Sequence, residues 1–178
     1  MNSRRTLRLL GLLALLMLAG AALSACGATP RAQADRLASF IPEEYNDWER
    51  DERDTVRLRS NTILNIGHVT MIYEGPDDAI AYIVIEAHPT EDAAEVAAMA
   101  RLREWHLQGL ALDANRAPQK VTADIAQTDR VRYALLQEDS MVVEIDAIAA
   151  EGEAPISDEA FEDLLFIVRN AFTRVAES

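Results

Sequence analysis

The sequence predicts an α+β protein: an antiparallel sheet of about six strands carrying two helices, in the order β-β-β-α-β-β-β-α. Three observations predict it. Short runs with period-two or β-branched character stand either side of a helix-period stretch, and tight turn signals separate them, which favours antiparallel neighbours. The chain also closes on a strongly amphipathic helix. Its 178 residues are 49% apolar and 26% charged, enough apolar side chain for one folded domain and too much for a disordered chain.

Residues 1–25 read as an export leader outside the fold. Arg4, Arg5 and Arg8 lead into an apolar run from Leu9 to Ala22, followed by Leu23-Ser24-Ala25-Cys26. A basic start, a short apolar run and small residues at its end form a secretory signal. The run to Ala25 contains Gly11, Gly20 and Ser24 and stands at the short limit for spanning a membrane. The four residues ending in Cys26 resemble the lipobox of bacterial lipoproteins. That resemblance implies cleavage before Cys26 and a lipid thioether on its sulfur. Cys26 is the sole cysteine, so no intrachain disulfide forms, and lipidation accounts for an odd thiol in an exported chain. Ser3-Arg4-Arg5-Thr6-Leu7-Arg8 also resembles part of a twin-arginine export signal, with Arg8 standing where an apolar residue is usual. Both export routes stay open.

Residues 26–36 are small or polar and read as the lipidated cysteine and a flexible tether; 37–178 read as the domain. Leu37 to Ile41 is a short lead-in stopped at Pro42, and Glu43 to Asp54 is charged except for Tyr45 and Trp48. Thr55 to Arg59 alternates apolar and charged residues as a half-buried strand does. Ile63 to Tyr73 and Ala79 to Ala87 form a hairpin about the turn signal Glu74-Gly75-Pro76-Asp77-Asp78. Thr90 caps a helix whose first turn holds Glu91 and Asp92 and which fades near Gly109. Its apolar face is read as Val96, Met99, Ala100, Leu107 and Leu110, leaving Trp105 on the opposite side. Strands follow at Val121 to Ala126, Val131 to Leu136 and Met141 to Ile148. Ser157 caps the last helix, where Phe161, Leu164, Leu165, Val168, Phe172 and Val175 recur at helical spacing.

This element order, with a final helix through Asn170-Ala171-Phe172, is similar to the α/β/α sandwich of PsbP-type photosystem II extrinsic proteins, which recurs in some bacterial lipoproteins. The resemblance implies a role in assembling an envelope complex.

With 17 Lys+Arg against 30 Asp+Glu, the formal charge is −13, and loss of the three leader arginines takes it to −16. Such a chain offers no basic face to nucleic acid. An anionic membrane surface repels it too, so any membrane attachment comes from lipid on Cys26. The sequence holds no nucleophile elbow, zinc-protease helix motif, phosphate loop or dinucleotide fingerprint. No cofactor and no metal site is therefore assigned. His68 and His88 on facing strands, with Glu86 and the helical His106, offer a His/His/Glu arrangement as the nearest approach to one. Trp48, Tyr45 and Trp105 are the candidate binding residues, because aromatic side chains outside a core mark contact regions.

The expected function is a membrane-anchored, non-enzymatic binding or accessory module of the cell envelope, with an envelope protein as partner. The alternatives are an envelope hydrolase using carboxylates or a His-bound metal, and a structural subunit of an envelope complex.

Overall fold

A computed structural model describes residues 28–51, 65–110 and 123–178. They form α1 (Pro30–Phe40), β1 (Glu44–Tyr45), β2 (Trp48–Arg50), β3 (Gly67–Glu74), β4 (Ile80–Ala87), α2 (Glu91–Leu107), β5 (Ala123–Gln127), β6 (Val131–Glu138), β7 (Met141–Ile148) and α3 (Asp158–Glu177). All strands join one antiparallel sheet in the order β1-β2-β3-β4-β7-β6-β5. The fold is α+β, as the alternation of the sequence implied. The strand expected at Thr55 to Arg59 lies outside the described residues.

Two differences concern the first fifty residues. The stretch read as a tether is helical from Pro30 onward. The Thr29 hydroxyl accepts from the Ala32 amide, Pro30 occupies the first turn, and Ala34, Leu37 and Ala38 are buried. Two of those three are alanines, so the stripe was too small to register as apolar periodicity. The charged segment around Trp48 also contributes a two-strand hairpin. Its turn is Asn46-Asp47, with Asn46 in the left-handed region at φ 51°.

The sheet separates two unlike faces, because successive strand residues point to opposite sides. One face carries Val69, Met71, Tyr73, Ile83, Ile85, Val143 and Ile145, all buried beneath α1 and α3. The α3 stripe of Phe161, Leu164, Leu165, Val168 and Phe172 completes this core. Each large side chain buried there contributes about 1.5–3 kcal/mol. Trp48 lies inside it, 1% exposed, and its indole N–H donates to the Ala160 carbonyl on α3 at 2.9 Å. Gly75 makes room for that ring, since a Cβ there would overlap it. Gly67 likewise allows the Pro30 carbonyl to approach β3, which seats α1.

The opposite face carries His68 and Thr70 of β3, Tyr82, Val84 and Glu86 of β4, and Val142, Glu144 and Asp146 of β7. Only α2 covers it among the described helices, through contacts to β6 and β7. The core here is small: Ala94, Ala98 and Trp105 of α2 against Ala126, Leu135 and Val142. This reverses the expected orientation of the helix. Val96, Met99 and Leu107 are exposed by 71%, 60% and 77%, and Trp105 is buried. The larger apolar side chains defined the face read from the sequence, whereas the helix packs through the alanines at 94 and 98 and through Trp105. Its buried side consists of the small Ala94 and Ala98 in the N-terminal half and the indole of Trp105 toward the other end.

Among the described residues, no helix is long and apolar enough to cross a membrane.

Candidate functional site

Beneath the C-terminal half of α2, the helix and the sheet enclose an open cleft of about 450 Å³. Val84, Glu144 and Asp146 line its floor. Arg101, Glu104, Trp105 and Gln108 line the helix side, and His68 and Tyr133 its flanks. The sheet register builds the floor. Tyr82 stands opposite Asp146, Val84 opposite Glu144, and Tyr133 pairs with Asp146 from the other side.

Most charged groups in the cleft are matched. Arg101 Nε lies 3.1 Å from Glu144 Oε2, and its Nη1 lies 3.5 Å from Glu104 Oε2. The Trp105 side chain also favours the charged form of Glu144. Burial nevertheless pushes the Glu144 carboxyl up, more than Arg101 and Trp105 bring it down. Beside the cleft, Glu86 is shared by two imidazoles, with His68 Nδ1 at 3.5 Å and His88 Nε2 at 3.7 Å. The hydrogen bond from His68, with the nearby Arg101 and His88, holds the Glu86 carboxyl below its ordinary range despite burial. His68 turns its other nitrogen to the Thr70 hydroxyl at 2.9 Å. His88 is buried, and desolvation lowers its imidazole against the pull of Glu86.

Asp146 is the exception. Its Oδ1 is buried and has no hydrogen-bond partner among the described residues. Burial first, and the Glu144 charge second, push its carboxyl up to about 6, with Arg101 opposing. The same two carboxylates, added to burial, raise the Tyr133 phenol. The Tyr133 ring packs against Trp105 at 5.6 Å between centroids, tilted by 50°. An unpaired, half-buried carboxylate therefore lies beside a pair of aromatic rings.

The three aromatic residues singled out from sequence do not form one site. Trp105 belongs to the cleft wall. Trp48 and Tyr45 lie on the far side of the sheet, where Trp48 is locked in the core and Tyr45 stacks on Phe166 of α3 at 5.3 Å. A mainly polar hollow lies near them, lined by Asn46, Asp47 and Asp163 among others. Cys26 lies outside the described residues. Of the His/His/Glu arrangement, His68 and His88 do meet at Glu86, while His106 is exposed on α2. Among the described residues no three His, Cys, Asp or Glu side chains are placed to hold a metal ion.

Arg101, Tyr133, Glu144 and Asp146 had not been singled out. Glu144 and Asp146 carried one signal: they alternate with Val143, Ile145 and Ala147, which marks them as the other face of a buried strand.

No protein-family model and no curated protein matches the chain. The crystal structure of the extracellular domain of PknH from Mycobacterium tuberculosis is similar to it with a TM-score of 0.49 and 12% identity, over 82% of this chain and 97% of that one.

Proposed function

We propose that this chain is an envelope lipoprotein, held to a membrane by lipid on Cys26, whose domain is a non-enzymatic binding module with its ligand site in the cleft beneath α2. The lipobox, the basic start and the sole cysteine support the anchor. Stable attachment takes two or more acyl chains on that residue. Cys26 stands four positions before Pro30, where α1 begins, so even a fully extended link reaches only about 14 Å. The domain is thereby kept against the bilayer, nearer than a long tether would allow.

The observation that carries the binding reading is the floor of the cleft. A sheet face with a purely structural role under a helix is apolar, as the face beneath α1 and α3 is. Here the fold keeps carboxylates half-buried at some cost in stability, around a cavity within the size range of small-molecule sites.

One observation favours a hydrolase instead: Asp146 is raised to about 6 while Glu86 is held low, a divergence that acid and base partners show. Binding is the better reading because Glu86 is taken up by two histidines and Glu144 by Arg101. That leaves Asp146 as the one cleft carboxylate without an ion-pair partner among the described residues.

Two measurements test the proposal. Detergent-phase partition recovers the wild-type chain in the detergent phase and Cys26→Ser in the aqueous phase; equal partition of both refutes the anchor. A thermal-shift panel of amines, sugars, organic acids and amino acids yields at least one stabilising solute, whose effect a Gln108→Trp change at the cleft mouth removes. Hydrolysis of a panel member, abolished by Asp146→Asn, or a panel with no stabilising solute, refutes the binding reading.

A further inference from the structure

Resting on the assignment of the cleft as a ligand site, the geometry points to an organic cation, an ammonium or guanidinium group with N–H donors, as the ligand's head, seated on Asp146 beside the rings of Trp105 and Tyr133. Three observations converge on it. The Asp146 carboxylate lines the cleft with its Oδ1 lacking a donor among the described residues, and an N–H donor carrying positive charge compensates that carboxylate. Tyr133, paired with Asp146 across the sheet and backed by the buried Trp105 ring, supplies aromatic surface in the same cleft, and cations are attracted to ring faces within about 6 Å. The cleft also already accommodates one guanidinium: Arg101 lies between Glu104 and Glu144 in the same cavity.

The other ligand classes fit less well. An anion would meet Glu104, Glu144 and Asp146 with Arg101 already engaged. A neutral ligand would leave a charged, half-buried oxygen with weaker compensation. A bare metal ion would leave most of the 450 Å³ unfilled, and oxygen-seeking cations require several converging ligands.

The titratable groups around Asp146 in the cleft come from four elements besides β7: His68 on β3, Tyr82 on β4, Tyr133 on β6, and Arg101 and Glu104 on α2, with Glu144 on its own strand. Arg101 is the one permanent cation among them and is paired with Glu144 and Glu104. It therefore orients the carboxylates without filling the place of a ligand.

Calorimetric titration of the full, lipidated chain in detergent tests the inference. The probes are 1,5-diaminopentane, agmatine, a lysine-containing tripeptide amide, the neutral isostere 1,5-pentanediol and the anion glutarate. At pH 7.5 the diamine or agmatine binds at least about tenfold tighter than the diol, and glutarate does not bind. The tripeptide arm separates a free amine from a basic side chain: tighter binding by the tripeptide than by the diamine assigns the head to a peptide. Asp146→Asn weakens the amine at least about tenfold, with the circular-dichroism spectrum unchanged. Affinity also falls about tenfold per pH unit below 6, where Asp146 takes up its proton. Binding of the diol or glutarate in preference to the amines overturns the cation inference and leaves the cleft a ligand site of another chemistry. Amine binding unaffected by Asp146→Asn, or no heat from either amine or the tripeptide, overturns it as well. In that last case the wider solute panel decides the binding reading on its own.

Discussion

Replacing Asp146 by Asn makes the protein more stable at neutral pH, although it removes a charge from a polar cleft. The folded carboxyl is raised from 3.8 to about 6, chiefly by burial. Below about pH 4 the folded and unfolded chains both hold the proton, so the side chain then costs nothing extra. Between pH 4 and 6 the unfolded chain loses its proton first, and stability declines as pH rises. Above 6 the full penalty is present. At about 1.4 kcal/mol per pH unit, the gap of roughly two corresponds to about 3 kcal/mol. The cleft is open and water screens part of this, leaving about 1–2 kcal/mol. Asn removes the ionisation while keeping the shape. Urea unfolding of the mature chain at pH 7.5 should therefore show Asp146→Asn stabilised by about 1–2 kcal/mol, or roughly 3–6 °C in Tm. At pH 3.5 the two proteins should coincide. A variant less stable than wild type at pH 7.5, or a gain that persists at pH 3.5, would refute the picture of a desolvated, unpartnered carboxylate.

The packing makes further predictions. Gly75→Ala drives a methyl group into the ring of Trp48 and should cost about 1–3 kcal/mol in urea unfolding; a neutral result would mean that the ring is not held there. Ala98→Leu on the buried side of α2 should cost a similar amount, whereas Val96→Glu on its exposed side should change stability by less than about 0.5 kcal/mol. The opposite ranking would show that the apolar stripe of the sequence is the packed face after all. Glu144→Gln leaves Arg101 with Glu104 as its remaining partner, and should lower the Tyr133 phenol, which ultraviolet titration reads directly.

Elements defined by local pattern were legible in the sequence. The strand Met141–Ile148 and the helix following Ser157 coincide with their periodic stretches, and Thr90 caps α2 as its position implies. Three features were not legible, each for a physical reason. α1 buries Ala34, Leu37 and Ala38 with little apolar volume, and its small residues read as a tether. In α2, Val96, Met99 and Leu107 face solvent while Ala94, Ala98 and Trp105 face the sheet, so a scale that weights side-chain size chose the wrong side. The cleft depends on β4 lying beside β7, a pairing between strands far apart in the chain. Turn signals pair only successive strands, so nothing local could place His68 and Glu86 near Glu144, or predict that α2 would leave its end of the sheet partly open. The histidines showed what a hairpin register can reveal: His68 and His88 were legible as neighbours of Glu86 because they share one hairpin.

The most direct measurement is an amide and indole nitrogen–proton NMR titration of the mature chain with agmatine at pH 7.5. A ligand site in the cleft predicts shifts at the Trp105 indole and at the Tyr133 and Asp146 amides, with the Trp48 indole unmoved in its core on the other side of the sheet. Shifts confined to Tyr45, Trp48 and the start of α3 would contradict it, as would a spectrum that agmatine does not change.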